Sequence, residues 1–281
     1  MRPLRMIRII TARRGWLAGC AAALLAAGVT VLAACASPPQ APQAARRALA
    51  PTGTLRVAVY PGSPTSLVQA PGSAEQRGLS VEIGRELSTR LGVPATIVVY
   101  PRVAEVVAAL RRGEADFTIT NATAERAREL DFTEPLLALE LGVLVRRGTS
   151  LADAQAMDQA GLRIGVSQGS SSHRVLGGQL RQSQLVPQAT LDAAAQALDA
   201  GQIDAFATNK AILFELADRV PGSTVLSSRW GLEHLAIATG QGREPGMATL
   251  RQFAESVRGG GQVAAAAERA GLRGTAPVAA K

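Results

Sequence analysis

The stretch ALRRGEADFTITN at residues 109–121 is matched without a gap by ALDAGQIDAFATN at residues 197–209. Both copies keep Ala-Leu, a glycine three residues after the leucine, an aspartate three residues further on, and a final Thr-Asn. In each copy a helical pattern ends at the glycine, a residue that often terminates helices, and a strand-like run follows. The match predicts that one helix–strand unit occurs twice in the chain, with chance similarity in an alanine-rich sequence as the alternative.

The segments in front of the two copies also correspond. LRVAV at residues 55–59 is similar to LRIGV at 162–166, and both have the composition of buried strands. Apolar spacing predicts further helices at residues 79–91, 103–110, 171–181, 190–200, 210–219, 244–257 and 262–270. Further strands are predicted at residues 95–100, 115–120, 139–145, 203–208 and 232–239, and none after the last. This alternation predicts an α/β fold with two similar lobes and a ligand cleft between them.

The charge of the chain at first favours a polyanionic partner, because its formal net charge is +8. Five basic residues, however, lie among the first 15 residues, where there is no acid: Arg2, Arg5, Arg8, Arg13 and Arg14. Removing this segment lowers the net charge by five, to +3. Only 3% of the residues are aromatic, too few for a base-stacking surface. We therefore expect no nucleic-acid partner.

The basic segment is followed by an uncharged run from Trp16 to Ala34, an order typical of export signals. The run ends in LAAC at residues 32–35, which resembles the lipobox of bacterial lipoproteins. That resemblance implies a signal peptide at residues 1–34, acylation of Cys35 and a periplasmic, membrane-anchored protein. The alternatives are a retained transmembrane helix and cleavage at the A-x-A-like site formed by residues 34–36.

Composition also predicts where the folded part begins and ends. Residues 35–52 are rich in Pro, Ala and Gln, which predicts an extended, disordered tether. Residues 273–281 predict a disordered tail. We expect lobe 1 to comprise residues 53–144 plus 233–272, and lobe 2 to comprise residues 145–232. The two chain crossings near residues 142–145 and 235–238 are the expected hinge.

Several motifs together indicate a family. Two segments resemble the opening strand and a helix start of that family: GTLRVAV at residues 53–59 and RGLSVEI at 77–83. The family motif T-I-T-P-E-R … D-F-S-D-P is similar to NATAERA at 121–127 followed by DFTEP at 131–135. The motif G-V-Q-x-G-T-T is similar to GVSQGSS at 165–171. With these motifs the chain resembles the family 3 bacterial extracellular solute-binding proteins, the receptors of amino-acid-type ABC importers.

The resemblance implies the type II periplasmic-binding-protein fold, in which two small mixed sheets with flanking helices are joined by two crossing strands. The protein would close on its ligand like a hinged trap and then dock on the membrane permease of an ABC transporter. The resemblance implies no cofactor, no metal and no catalysis, and we expect the protein to be a monomer.

The resemblance also implies a ligand site. Arg126 would bind a ligand carboxylate through paired charged hydrogen bonds, and Asn121 occupies a Ser/Thr position of the motif. Ser170 and Ser171 would add a hydroxyl and a backbone N–H at a helix start. Asn209 stands where the family usually has an aspartate for the ligand ammonium, so it supplies no negative charge.

The aromatic clamp of the family is missing, because Ser63 and Val103 stand where aromatic or bulky residues often sit. Tyr60 and Tyr100 lie nearby in the sequence and could partly substitute. The expected ligand-binding residues are Tyr60, Val103, Asn121, Arg126, Ser170, Ser171 and Asn209. We expect the ligand to be a small carboxylate-bearing solute, either an amino acid or a related compound.

Three other functions stay open. GVSQG at residues 165–169 matches G-x-S-x-G between a predicted strand and helix, so Ser167 could be the nucleophile of a serine hydrolase. Its partners would come from Asp192, Asp199, Asp204 and His234. A dehydratase on the same scaffold would need an acid in the cleft, and the sequence does not place Glu82, Glu140 or Asp116 there. A periplasmic sensor would have the same sequence features.

Overall fold

The computed structural model describes residues 41–69 and 72–277. The elements up to the first crossing strand are α1 Gln43–Leu49, β1 Leu55–Val59, α2 Leu79–Leu91, β2 Ala95–Val99, α3 Val103–Arg111, β3 Thr118–Asn121, a 3₁₀ turn Arg126–Arg128, β4 Leu130–Phe132 and β5 Leu137–Val145. The expected signal peptide and Cys35 lie outside the described residues. In the part that is described, no helix is both long and apolar enough to cross a membrane.

The second half repeats the alternation. Its elements are a 3₁₀ turn Ala154–Ala156, β6 Arg163–Ser167, α4 Ser171–Gln179, β7 Gln184–Gln188, α5 Leu191–Asp199, β8 Ala205–Asn209, α6 Lys210–Ala217, β9 Thr224–Val225, β10 Gly231–Gly240, α7 Glu244–Gly259, α8 Gln262–Arg269 and β11 Thr275–Ala276. Helices α2 to α8 were all predicted from the sequence, and most of them bury an apolar face. In α2, for example, Leu79, Ile83, Leu87 and Leu91 are all buried.

The strands form a two-stranded parallel sheet, β1–β2, and a larger mixed sheet in the order β3-β10-β5-β8-β6-β7. The crossing strands β5 and β10 join the two halves. β5 pairs with β10 up to Leu141 and with β8 from Leu141 onward, whereas β10 leaves β5 for β3 at Leu235. The larger sheet is therefore continuous through the crossing strands, and the α/β type II fold is confirmed.

The repeat has a physical basis in two equivalent ion pairs. The backbone N and Nε of Arg56 donate to Asp116 Oδ2 at 2.9 and 2.8 Å. The same two atoms of Arg163 donate to Asp204 Oδ2, both at 2.9 Å. In each half the arginine at the start of the first strand thus binds the aspartate that follows the helix-ending glycine. Asp116 also accepts a bond from Arg243 at 2.8 Å.

The expected disordered tether is wrong for residues 43–49, which form α1. Ala41, Ala45 and Leu49 are buried at a spacing of four, and α1 packs against α7. Arg243 Nη1 donates to the carbonyls of Ala48 and Leu49, which satisfies the end of this helix. The overall Pro/Ala/Gln composition concealed this short apolar face.

The expected disordered tail is also wrong for its described part. β11 pairs with β5, and Arg273 contacts Asp218 at 2.5 Å. A strand therefore does follow β10. The strands β4, β7, β9 and β11 were not predicted. Strands β4, β9 and β11 have only two or three residues, too few for a periodic pattern, and β7 contains Pro187, a residue that is uncommon in strands.

Candidate functional site

All seven expected ligand-binding residues line one cavity. Residues Tyr60, Val103, Asn121, Arg126, Ser170, Ser171 and Asn209 contribute to its wall, together with Thr65, Ile119, Thr120, Ser167, Thr208, Ile212, Glu233 and Leu235. The cavity has a volume of only about 30 Å³, so its walls lie close together. Tyr100 and Ser63 are not among the lining residues. Ser63 contacts a residue that is, because the Tyr60 hydroxyl donates to Ser63 Oγ at 3.4 Å.

The fold brings these side chains together because strands end and helices begin at this place. β3 and β8 end at Asn121 and Asn209, while α4 begins at Ser171 and α6 at Lys210. The first N–H groups of a helix have no partner within the helix and carry partial positive charge. The residues at the starts of these two helices, Ser170, Ser171 and Asn209, therefore line the cavity.

Arg126 is the principal cation of the cavity and is only 5% exposed. Its Nη1 donates to Thr120 Oγ1 at 2.7 Å and to the carbonyl of Asn121 at 3.2 Å. Its Nε is buried without a hydrogen-bond partner. Burial lowers the pKa of Arg126, and the nearby Glu233 opposes that shift. A buried guanidinium with an unused donor has the chemistry to bind an anionic group.

The serines at the start of α4 have different roles. Ser170 caps the helix, because its Oγ accepts from the backbone N of His173 at 3.1 Å. Ser171 Oγ accepts from Asn121 Nδ2 at 3.4 Å and donates to Glu233 Oε1 at 3.2 Å. The Ser171 hydroxyl thus connects the two halves of the cavity wall.

Glu233 was not expected in the site. It lies on β10, is 6% exposed, and its Oε2 accepts from Asn209 Nδ2 at 3.0 Å. Burial raises the pKa of Glu233, opposed by Arg126, Asn209 and Ser171. One sequence signal was available: in the predicted strand LEHLAIAT, Glu233 is two residues before Leu235 and so shares a face of the strand with it.

Contacts between the two halves lie at the edge of the cavity. Arg174 on α4 forms a salt bridge of 2.5 Å with Glu125, which precedes the Arg126 turn. A methyl group added at Gly169 would lie 2.9 Å from the Cβ of Ala104 on α3. The described structure therefore shows the halves in close contact around the cavity.

The structure does not assemble the residues of the hydrolase alternative. Ser167 lines the cavity, but Asp204 is held by Arg163 and Asp192 by Arg219. His234 is exposed. Among the described hydrogen bonds, none joins Ser167 to a histidine.

The acids considered for a dehydratase lie in other ion pairs. Asp116 binds Arg56, Glu82 binds Arg269, and Glu140 binds Lys210. Within residues 41–69 and 72–277 there is no group of three or more His, Cys, Asp or Glu side chains that could hold a metal ion.

Comparisons with known proteins agree with this fold. The model of the bacterial extracellular solute-binding proteins, family 3, matches residues 55–174. An amino acid ABC transporter substrate-binding protein from Streptococcus pneumoniae bound to L-arginine superposes with a TM-score of 0.71 at 22% identity, covering 83% of this chain and all of that one. A search of the curated proteins finds no match.

Two further solved structures have the same fold. A putative binding component of an ABC transporter from Wolinella succinogenes, complexed with lysine, has a TM-score of 0.68 at 21% identity and covers 77% of this chain and 95% of that one. The ancestral amino acid-binding protein AncCDT-1, a precursor of cyclohexadienyl dehydratase, has a TM-score of 0.69 at 18% identity and covers 80% and 98%. The family model matches residues 55–174, and these solved structures share the type II periplasmic-binding-protein fold of this chain.

Proposed function

We propose that this chain is the substrate-binding component of an ABC importer and captures a small carboxylate-bearing solute in the closed cavity. The observation that carries the proposal is the buried Arg126 guanidinium, whose Nε has no partner. A guanidinium binds a carboxylate through parallel charged hydrogen bonds, each contributing about 1.5–3 kcal/mol. The N-terminus of α4 supplies further N–H donors on the opposite wall.

The proposed mechanism is binding without chemistry. Ligand enters an open cleft and contacts Arg126 and Asn121, and lobe 2 then closes through Ser171 and the contact of Arg174 with Glu125. Closure is favoured because the ligand makes more contacts in the closed state than in the open one. The hinge lies in β5 and β10, which change partner strands at Leu141 and Leu235.

Localisation and partners follow from the same proposal. The family is extracellular, and we propose that Cys35 carries the lipid anchor and that the monomeric closed form docks on a membrane permease. The wild-type chain should then incorporate a labelled fatty acid, whereas a Cys35→Ser variant should not. Equal labelling of the two chains would contradict anchoring through Cys35.

The test of the function is a ligand screen by thermal shift and isothermal titration calorimetry on the wild-type chain. Amino acids, keto acids and opine-like compounds are compared with matched amides in which the carboxylate is replaced. We expect carboxylates to raise the melting temperature and their amides to fail. Tight binding confined to compounds without a carboxylate would contradict the proposal. Ligand turnover detected in the same samples would favour the enzyme alternative.

A further inference from the structure

Glu233 is a buried acid in the cavity to which the proposed carboxylate capture gives no role. Its two carboxylate oxygens accept hydrogen bonds from Ser171 Oγ at 3.2 Å and Asn209 Nδ2 at 3.0 Å. Both partners stand at the start of a helix, Ser171 in α4 and Asn209 before α6. Positive helix ends and two donors favour a charged carboxylate, although burial raises the pKa of Glu233.

Glu233 and Arg126 are separated charges within one cavity. Each influences the pKa of the other, yet no salt bridge within 4.0 Å joins them among the described residues. The guanidinium bonds instead to Thr120 and Asn121. A ligand that carries an anion and a cation on adjacent atoms could therefore contact both groups at once.

Asn209 is not free to take the role of an ammonium acceptor. Its Oδ1 accepts from the backbone N of Ile212 at 3.1 Å, and its Nδ2 donates to Glu233. An aspartate at position 209 would place a second negative charge about 3 Å from Glu233. The negative charge of this cavity therefore comes from β10 rather than from the start of α6.

The remaining wall is uncharged. Among the described residues that line the cavity, Arg126 and Glu233 alone carry a formal charge. Apolar wall is supplied by Val103, Ile119, Ile212 and Leu235, and hydroxyl groups by residues such as Tyr60 and Thr65. A ligand with a second charge would bury it without a counter-ion, which is strongly unfavourable.

We propose that Glu233 binds the ammonium group of a zwitterion whose carboxylate is bound by Arg126, and that the ligand is an α-amino acid with a compact, uncharged side chain. This inference rests on the proposed function, because it takes Arg126 as the carboxylate site. It separates this chain from the structural relatives described as bound to L-arginine or lysine, whose side chains carry an additional positive charge.

The experiment is calorimetry on the wild-type chain and a Glu233→Gln variant, with pairs of ligands that differ only by the ammonium group. The pairs are L-alanine with propionate, L-threonine with 3-hydroxybutyrate, and L-valine with isovalerate; L-arginine, L-lysine and L-glutamate test an added charge. Glu86→Gln on the exposed face of α2 is the matched control. Thermal unfolding of each ligand-free variant verifies its fold.

We expect the wild-type chain to bind at least one uncharged amino acid about tenfold to a hundredfold more tightly than its partner acid, the range of one charged hydrogen bond. Glu233→Gln should lose this preference, while Glu86→Gln should keep it. Equal wild-type affinity for both members of every pair overturns the role of Glu233 and leaves the carboxylate proposal standing. Tightest binding of L-arginine, L-lysine or L-glutamate overturns the assigned side-chain class. Failure of every carboxylate to bind overturns the proposed function itself.

Discussion

Replacement of Arg126 by glutamine is the most informative change in the cavity. The substitution removes the positive charge and the unpartnered Nε, while an amide of smaller size can still donate a hydrogen bond toward Thr120. The side chain is 5% exposed, so the effect is not diluted by solvent. Arg128 lies on the same 3₁₀ turn but is exposed, which makes Arg128→Gln a matched control.

The expected magnitude follows from the hydrogen bonds that are lost. Two charged bonds to a carboxylate contribute roughly 3–6 kcal/mol together, which corresponds to an affinity loss of roughly a hundredfold to ten thousandfold. The ligand-free variant loses the two bonds of Nη1 but also loses the cost of burying a guanidinium. We therefore expect its free energy of unfolding to fall by only about 1–2 kcal/mol.

The assay is calorimetric titration with the tightest carboxylate from the screen, together with thermal unfolding with and without that ligand. Arg126→Gln should unfold cooperatively and show no ligand-induced rise in melting temperature, whereas Arg128→Gln should behave like the wild-type chain. Wild-type affinity of a folded Arg126→Gln protein would refute the reasoning. An equal loss in Arg128→Gln would show that the effect is general electrostatics and not a contact.

Three further predictions concern pH, closure and stability. Burial raises the pKa of Glu233 above its ordinary 4.5. Acidification through that raised pKa protonates the carboxylate, so the affinity for an amino acid should fall. Titrations of Glu233→Gln over the same pH range should show a constant affinity. Glu125→Gln breaks the salt bridge with Arg174 at the cavity edge. Because both side chains are partly exposed, the pair contributes about 0.2–1 kcal/mol, and stopped-flow measurements should show ligand dissociation up to about fivefold faster. Unchanged dissociation would contradict a role of this salt bridge in closure. Asp116→Asn removes the buried charge that pairs with Arg56 and Arg243. Chemical denaturation should report that the free energy of unfolding falls by about 3–5 kcal/mol, more than for the more exposed Asp204→Asn. Equal losses would show that burial does not distinguish the two repeats.

Much of the fold was predictable because its information is local. The apolar face of α2 and the glycine at Gly92, which has a φ of 66° at the helix end, specify that helix without reference to the rest of the chain. The repeated Arg–Asp pairs were visible as matching letters, and the structure shows that each pair ties a strand to the turn after a helix. The seven expected site residues converge because strand ends and helix starts meet at one edge.

The missing parts depend on contacts between distant segments. Glu233 is an acid within an apolar strand, and only its pairing with Asn209 and Ser171 shows that it enters the cavity. Helix α1 is stabilised by α7 and Arg243, both near the other end of the chain. Pairwise contacts of this kind have no signature in the local composition of a single sequence.

The most direct test of ligand capture is a crystal structure of the chain with the tightest carboxylate from the screen. We predict that the ligand carboxylate lies within hydrogen-bond distance of the Arg126 guanidinium and of the N-terminus of α4, between closed lobes. A ligand seated elsewhere, or one whose carboxylate points away from Arg126, would contradict it.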